Sequence, residues 1–308
     1  MMSKTSRWLV VFSMVVAGIV YGPAQAKEPE TVINRDRPEV DALGRLVGSF
    51  WLFPALGVET YHNDNIFASN SREESDFITR IKPELDLESN WNRHMLNLTA
   101  NADIGRYSQN DGENFEDYGI SIDGRLDVQG EDTLTGKAGY ARKHVRRDSP
   151  NDQNGKEPTL YEVSSASTAY RKKFNRLSFR VGAEFERRDY NDVKSQFGKK
   201  INNDDQDRDE LGGLVQINYD ILPQYSVFLR TRYKTIDYDD TFDSRGLQRS
   251  SDGYKIVVGT ELRVTGLLYG EVFAGYGKRD YDDSTLKNID EPTGGVSLTW
   301  LPSQLTTV

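Results

Sequence analysis

Residues 77–104, FITRIKPELDLESNWNRHMLNLTANADI, alternate with a period of two. Thr79, Ile81, Pro83, Leu85 and Leu87 fall on one side of the chain, and Arg80, Lys82, Glu84, Asp86 and Glu88 on the other. A helix, with its period of about 3.6, would mix the two sets; a strand sends them to opposite faces. After the polar break at 90–93 the pattern resumes, with Leu96, Leu98, Ala100, Ala102 and Ile104 against Asn97, Thr99, Asn101 and Asp103. The stretch predicts a hairpin of two long strands, one face apolar and the other charged.

The pattern recurs along the chain, and strands are predicted at 50–62, 118–128, 134–144, 160–174, 177–188, 211–219, 225–234, 254–264, 272–276 and 296–300. With the hairpin these make about 12 strands. Connections alternate between two to five residues and ten to seventeen. Short turns on one rim and long loops on the other are the connectivity of up-and-down outer-membrane barrels. The predicted strands are also longer than the five or six residues or so of an average soluble sheet. Backbone groups in lipid must all be paired, so the fold expected is an all-β, antiparallel up-and-down transmembrane β-barrel.

Its charged face would line the lumen: Arg80, Lys82, Glu84, Asp86, Glu88, Arg125, Arg180, Glu184, Arg230, Arg232, Glu261 and Arg263. Charges fixed in a pore set its selectivity; the competing reading is that they pair across strands and fill the interior. A second recurrence, Tyr107, Tyr190, Tyr238 and Tyr281 at strand exits before long loops, reads as an aromatic girdle at the membrane interface.

Composition agrees with a wet-centred barrel rather than a large apolar core. Hydrophobic residues are 36% and mean hydropathy is −0.67, yet aromatics reach 11%, with 16 Tyr, unlike a disordered chain. Lys4 and Arg7, the apolar run 8–21 and the A-x-A site at 24–26 mark residues 1–26 as a secretory signal peptide. Residues 27–49 read as a polar periplasmic leader, and 50–308 as the barrel. Loss of the signal removes two positive charges and no negative ones from the formal −9, leaving −11. An acidic, exported chain argues against nucleic acid as a partner.

Catalytic signals are sparse. Cysteine is absent, which excludes thiolate metal sites, and no cofactor or metal motif stands out. The three histidines, His62, His94 and His144, fall on different rims, with His94 apart from the others, so a shared metal or triad is not expected. The chain is read as a non-enzyme.

The phrases LFPALGVETYHNDNIFAS, NWNRHMLNL, TAYRKKFNRLSFRVG, SDGYKIVVGTEL and TGLLYGEVFAGYGKRDYDD resemble the type 2 beta-barrel porins of Gram-negative outer membranes. The resemblance spans residues 41–308. It implies an outer-membrane barrel whose complete form has more strands, ends on an aromatic residue read by the barrel-insertion machinery, and lies against membrane lipid and lipopolysaccharide. Since Val308 is no such end, it also implies a C-terminal truncation. Some relatives accompany exopolysaccharide genes. Three functions follow as expectations: passage of small hydrophilic solutes or a link to exopolysaccharide export; a plugged structural barrel whose acidic loops contact surface polysaccharide or lipopolysaccharide; and, least favoured, an outer-membrane hydrolase.

Overall fold

The computed structural model describes residues 43–71, 73–265 and 268–301. The predicted signal peptide 1–26, residues 27–42 of the predicted leader, most of the 265–267 turn and the tail 302–308 lie outside these residues. Thirteen strands form one antiparallel sheet, each beside its sequence neighbour. They are β1 (Arg45–Val47), β2 (Phe50–Asn63), β3 (Asp76–Ser89), β4 (Met95–Tyr107), β5 (Phe115–Asp127), β6 (Thr133–His144), β7 (Leu160–Phe174) and β8 (Leu177–Tyr190). After a small separate hairpin, β9 (Val193–Lys194) and β10 (Lys200–Ile201), come β11 (Arg208–Leu222), β12 (Tyr225–Tyr238), β13 (Ser251–Thr265), β14 (Leu268–Tyr281) and β15 (Ile289–Trp300). The twelve long strands are those predicted.

Two boundaries differ from expectation. The sheet begins inside the predicted leader 27–49, because Arg45, Leu46 and Val47 pair with Leu52, Trp51 and Phe50. The long loops are also shorter than ten residues in two places, 108–114 and 282–288. There the ladder continues through polar residues, since near a rim both faces are wet and side-chain polarity no longer decides pairing.

Proline marks the sheet's edges and one interior flaw. Pro54 lies on β2 beyond the reach of β1, and Pro292 on the last strand, β15; edges tolerate a missing N–H. Pro83 is interior. Its strand pairs fully with β2, but toward β4 the rungs at Lys82 and Pro83 are missing while the register is unchanged. Among short turns, the two-residue link 175–176 uses Asn175 at φ 51°, a left-handed position that asparagine accepts.

Burial runs opposite to that of a soluble sheet. Val258 is 61% exposed, whereas its neighbour Val257, on the other face, is 3% exposed; Leu229 is 43% exposed and Phe228 2%. A curled sheet crowds the side chains on its concave side and spreads those on its convex side. The apolar set is therefore convex and the charged set concave. Along the convex side, the middle of every long strand is free of charge, as in Tyr118, Ile120, Ile122, Gly124 and Leu126 of β5. Charges return only near the rims, at Arg106 and Glu116, which pair, at Arg187, bonded to Asp209 (3.1 Å) and Asp239 (2.7 Å), and at Lys278 with Asp280 (2.7 Å). A lipid-facing charge at the bilayer midplane costs about 2–4 kcal/mol, so an uncharged band bounded by ion pairs fits a membrane.

Candidate functional site

The ladder settles which residues share a face. Opposed residues in adjacent strands point the same way, and the rungs run Arg171–Arg180–Gln216–Arg230–Val257 across β7, β8, β11, β12 and β13. Followed strand by strand, the register puts all twelve charged residues predicted for the lumen on the concave face. It also adds members that the sequence reading passed over, among them Gln216, Asn218, Lys255 and Glu271.

On β2–β5 this face is mainly acidic: Glu59, Glu84, Asp86, Glu88, Asp103, Asp117, Asp123 and Asp127 against Arg80, Lys82 and Arg125. Arg80 pairs with Asp103 and, at 3.5 Å, with Glu59, which also takes Lys82 at 2.6 Å. Other acids rely on neutral donors. Thr99 donates to Asp86 (2.6 Å), and the His94 amide donates to Asp127 (3.1 Å). Gly105 has no side chain because the ring of its ladder partner Phe115 lies where a Cβ would be, and Arg80 stands 5.8 Å above that ring.

On β6–β14 the balance reverses. Lys137, Lys143, Arg171, Lys173, Arg180, Arg188, Arg208, Arg230, Arg232, Lys234, Lys255, Arg263 and Arg279 oppose Glu184, Glu186, Glu210, Asp220, Glu261 and Glu271. Arg230 is the hub. Its guanidinium donates twice to Glu271 (3.1 and 2.8 Å) and once to Gln216 (2.8 Å), and lies 4.4 Å from the Phe228 ring. Gln216 donates to Asn218 (2.8 Å), which donates to Glu261 (3.2 Å). Higher up, Glu210 accepts from Arg208 (2.8 Å) and Lys234 (2.5 Å).

The predicted tyrosine girdle is corrected by the same register. Tyr107, Tyr190, Tyr238 and Tyr281 share the charged, concave face: Tyr107 opposes buried Ile78, Tyr190 stacks on Tyr161 at 5.0 Å, Tyr238 lies under Arg208 and Arg249, and Tyr281 opposes Ser251. Parity along each strand decides this, since Tyr190 is in phase with Arg188 and Glu186. The convex aromatics near the outer rim are others, among them Tyr118, Tyr140, Phe185, Tyr233, Tyr254 and Tyr276. Each sits within a few residues of the outer charged rim, and all but Tyr140 are conspicuously exposed.

The four tyrosines instead share a backbone role. Their amides donate to Asn114 Oδ1 (2.8 Å), Asp207 Oδ1 (2.6 Å), Ser250 Oγ (3.0 Å) and Asn288 Oδ1 (3.0 Å). Each acceptor immediately precedes the returning strand. A side chain thus closes the base of each of these loops. Asp207 is buried, and burial, helped by the charges of Asp189, Asp204 and Asp239, pushes its pKa up to about 6 despite the Tyr190 amide.

The loops are fastened further by Arg147, which bonds Glu113 (2.8 and 2.6 Å) and Asp152 (3.2 Å) and stands 5.8 Å from Phe67. Burial disfavours its charge, but these carboxylates outweigh burial and raise its pKa above the ordinary arginine value.

The histidines stay apart. His62 packs edge-on against Phe77, and His94 Nδ1 accepts the Asp127 amide at 3.1 Å. His144 bonds Asp117 (2.9 Å) and stacks on Phe115, and among the described residues no hydroxyl joins that pair. No group of metal-ligating side chains is found among the described residues.

An open-ended run of long antiparallel strands, apolar outside, charged inside and bounded by rim charges, defines an outer-membrane β-barrel. The chain belongs to the family described as "Putative beta-barrel porin 2", whose model matches residues 37–308. No curated protein matches the chain. Among solved structures it is similar to the NanC porin (9% identity over 80% of this chain and 98% of that one, TM-score 0.36). It is also similar to OmpT of Vibrio cholerae (9%, 83% and 99%, 0.43). A third is the translocator domain of the autotransporter NalP from Neisseria meningitidis (10%, 85% and 90%, 0.32).

Proposed function

We propose that this outer-membrane protein is a channel for small hydrophilic solutes, directed to the periplasm by the signal peptide 1–26, which is then cleaved, and inserted by the barrel-insertion machinery. The observation that carries the reading is the concave face itself. It carries at least one charged side chain on every long strand and is divided into an acidic and a basic wall, so a solute in the lumen meets fixed charge of both signs. Passage alongside exopolysaccharide export is a narrower version that rests on the family resemblance. Planar-bilayer recording of the refolded protein tests the proposal: discrete conductance steps are expected, and a folded, heat-modifiable barrel without conductance would overturn it.

A second reading is a plugged barrel whose acidic loops meet surface polysaccharide or lipopolysaccharide. The fastening of three outer loops through Arg147, Glu113, Asp152 and Phe67 favours it. Loop deletions that abolish polymer retention while leaving conductance absent would support this reading over the channel.

A further inference from the structure

On the basic wall most cations whose contacts are described have a committed anion. Arg230 holds Glu271, Arg208 and Lys234 share Glu210, and Arg188 holds Glu186. Arg232 and Lys255 do not follow that pattern; nor do Lys137 and Lys143 on β6, but neither of those stands opposite another cation. Arg232 and Lys255 are direct ladder partners on the concave face, both exposed, and among the described residues neither forms an ion pair or a hydrogen bond. The contact of Lys255 is the Phe273 ring, 5.4 Å from Nζ. The acids whose charge reaches Arg232 are Glu184 and Glu271, and Glu271 is occupied by Arg230.

Like charges directly opposite each other across two strands repel, so this arrangement costs stability when empty. The floor beside it is bare. The next residue along the rung from Lys255 is Gly277, where a Cβ would meet nothing closer than 3.9 Å. A planar guanidinium fork and a mobile ammonium over an open floor form a receptor for two or three anionic oxygens.

We propose that Arg232 and Lys255 form a binding subsite for small organic anions, sugars bearing one carboxylate or one phosphate. The inference rests on the channel reading above, since the solute must enter the lumen to reach it. The anion supplies the counter-charge that the protein withholds, and the Gly277 floor leaves room for the ring that carries it.

The test is equilibrium binding to the full chain refolded in detergent, with glucuronate, glucose 6-phosphate and glucose as probes. Glucuronate or glucose 6-phosphate should bind, glucose should not, and R232Q/K255Q should weaken the bound anion at least tenfold. The control K137Q/K143Q removes the same charge from β6 of the same wall and should change binding less than twofold. Equal losses in the two double variants, or glucose binding as tightly as the anions, would overturn the subsite. Heat-modifiable migration establishes that each variant is folded. Conductance of the same samples reads the channel separately: a silent barrel that still binds glucuronate through Arg232 and Lys255 keeps the subsite and sinks the channel.

Discussion

The wall made by β2–β5 and the wall made by β6–β14 share one face of one sheet, yet they handle charge by different means. The acidic wall leaves many carboxylates to neutral donors and solvent, as with Asp86 and Thr99, and the ion pairs of Glu59 sit half in the open, with that side chain 47% exposed. The basic wall commits its carboxylates to half-buried hubs. Arg230 is tied at once to Glu271, Gln216 and the Phe228 ring, and Glu210 is held between Arg208 and Lys234. The difference follows from the side chains. Short carboxylates can be satisfied by nearby hydroxyls and amides, whereas long cations must be pinned by anions or aromatic faces to be ordered. One wall is therefore held loosely by many weak contacts and the other tightly by a few strong ones.

The largest test asks whether both walls have the same backing. I122R, behind the acidic wall, and V258R, behind the basic one, should each cost about 2–4 kcal/mol, because both put a charge on the lipid-facing band. Urea unfolding in micelles or liposomes measures this, and an unchanged midpoint in either variant would mean that its side does not face lipid.

Breaking the hub comes next. R230A should destabilise the barrel by about 2 kcal/mol, the order expected when half-buried partners such as Glu271 and Gln216 lose their donor. The counterpart on the acidic wall, E59Q, should cost about 1 kcal/mol or less, since exposed ion pairs contribute little. Similar costs for the two would erase the contrast between the walls.

Selectivity separates the walls without unfolding either. Neutralising Glu84, Asp86 and Glu88 together should move the reversal potential toward anion preference, and R232Q/K255Q should move it toward cation preference. Shifts of the same sign would contradict opposed walls.

The smallest expected effect lies in the loop that follows β8. Asp207, with its pKa raised to about 6 from 3.8, binds more protons in the folded than in the unfolded state between those values. Stability therefore falls as pH rises through that window and is greater at pH 5 than at pH 7, so far as this group is concerned. D207N keeps an acceptor for the Tyr190 amide and should flatten that part of the pH dependence, read as the difference in urea midpoint between wild type and variant.

Much of this was legible in the alternation alone. Twelve long strands and the face carrying Arg80, Glu184, Arg230 and Glu261 follow from period two, because the ladder preserves parity from strand to strand. The tyrosine recurrence does not give orientation: Tyr190 shares parity with Glu186 and Arg188, and that parity, present in the sequence, puts it on the charged face. What alternation cannot carry is register. Whether Lys255 stands against Arg232, or Glu271 within reach of Arg230, depends on turn lengths to the residue, and only the paired strands supply that. The start of the sheet at Arg45 was hidden for another reason, since three residues are too few to show a period.

The side-chain closures beneath Tyr107, Tyr190, Tyr238 and Tyr281 have a consequence for how such a protein can change over time. Each of these loops is tied off at its base by one amide and one neighbouring acceptor, so the strands are indifferent to what lies above the knot. Surface segments can then be lengthened, shortened or exchanged like cassettes while the wall beneath keeps its register. A barrel built this way can alter the outline it shows to the outside world without renegotiating the contacts that hold its wall.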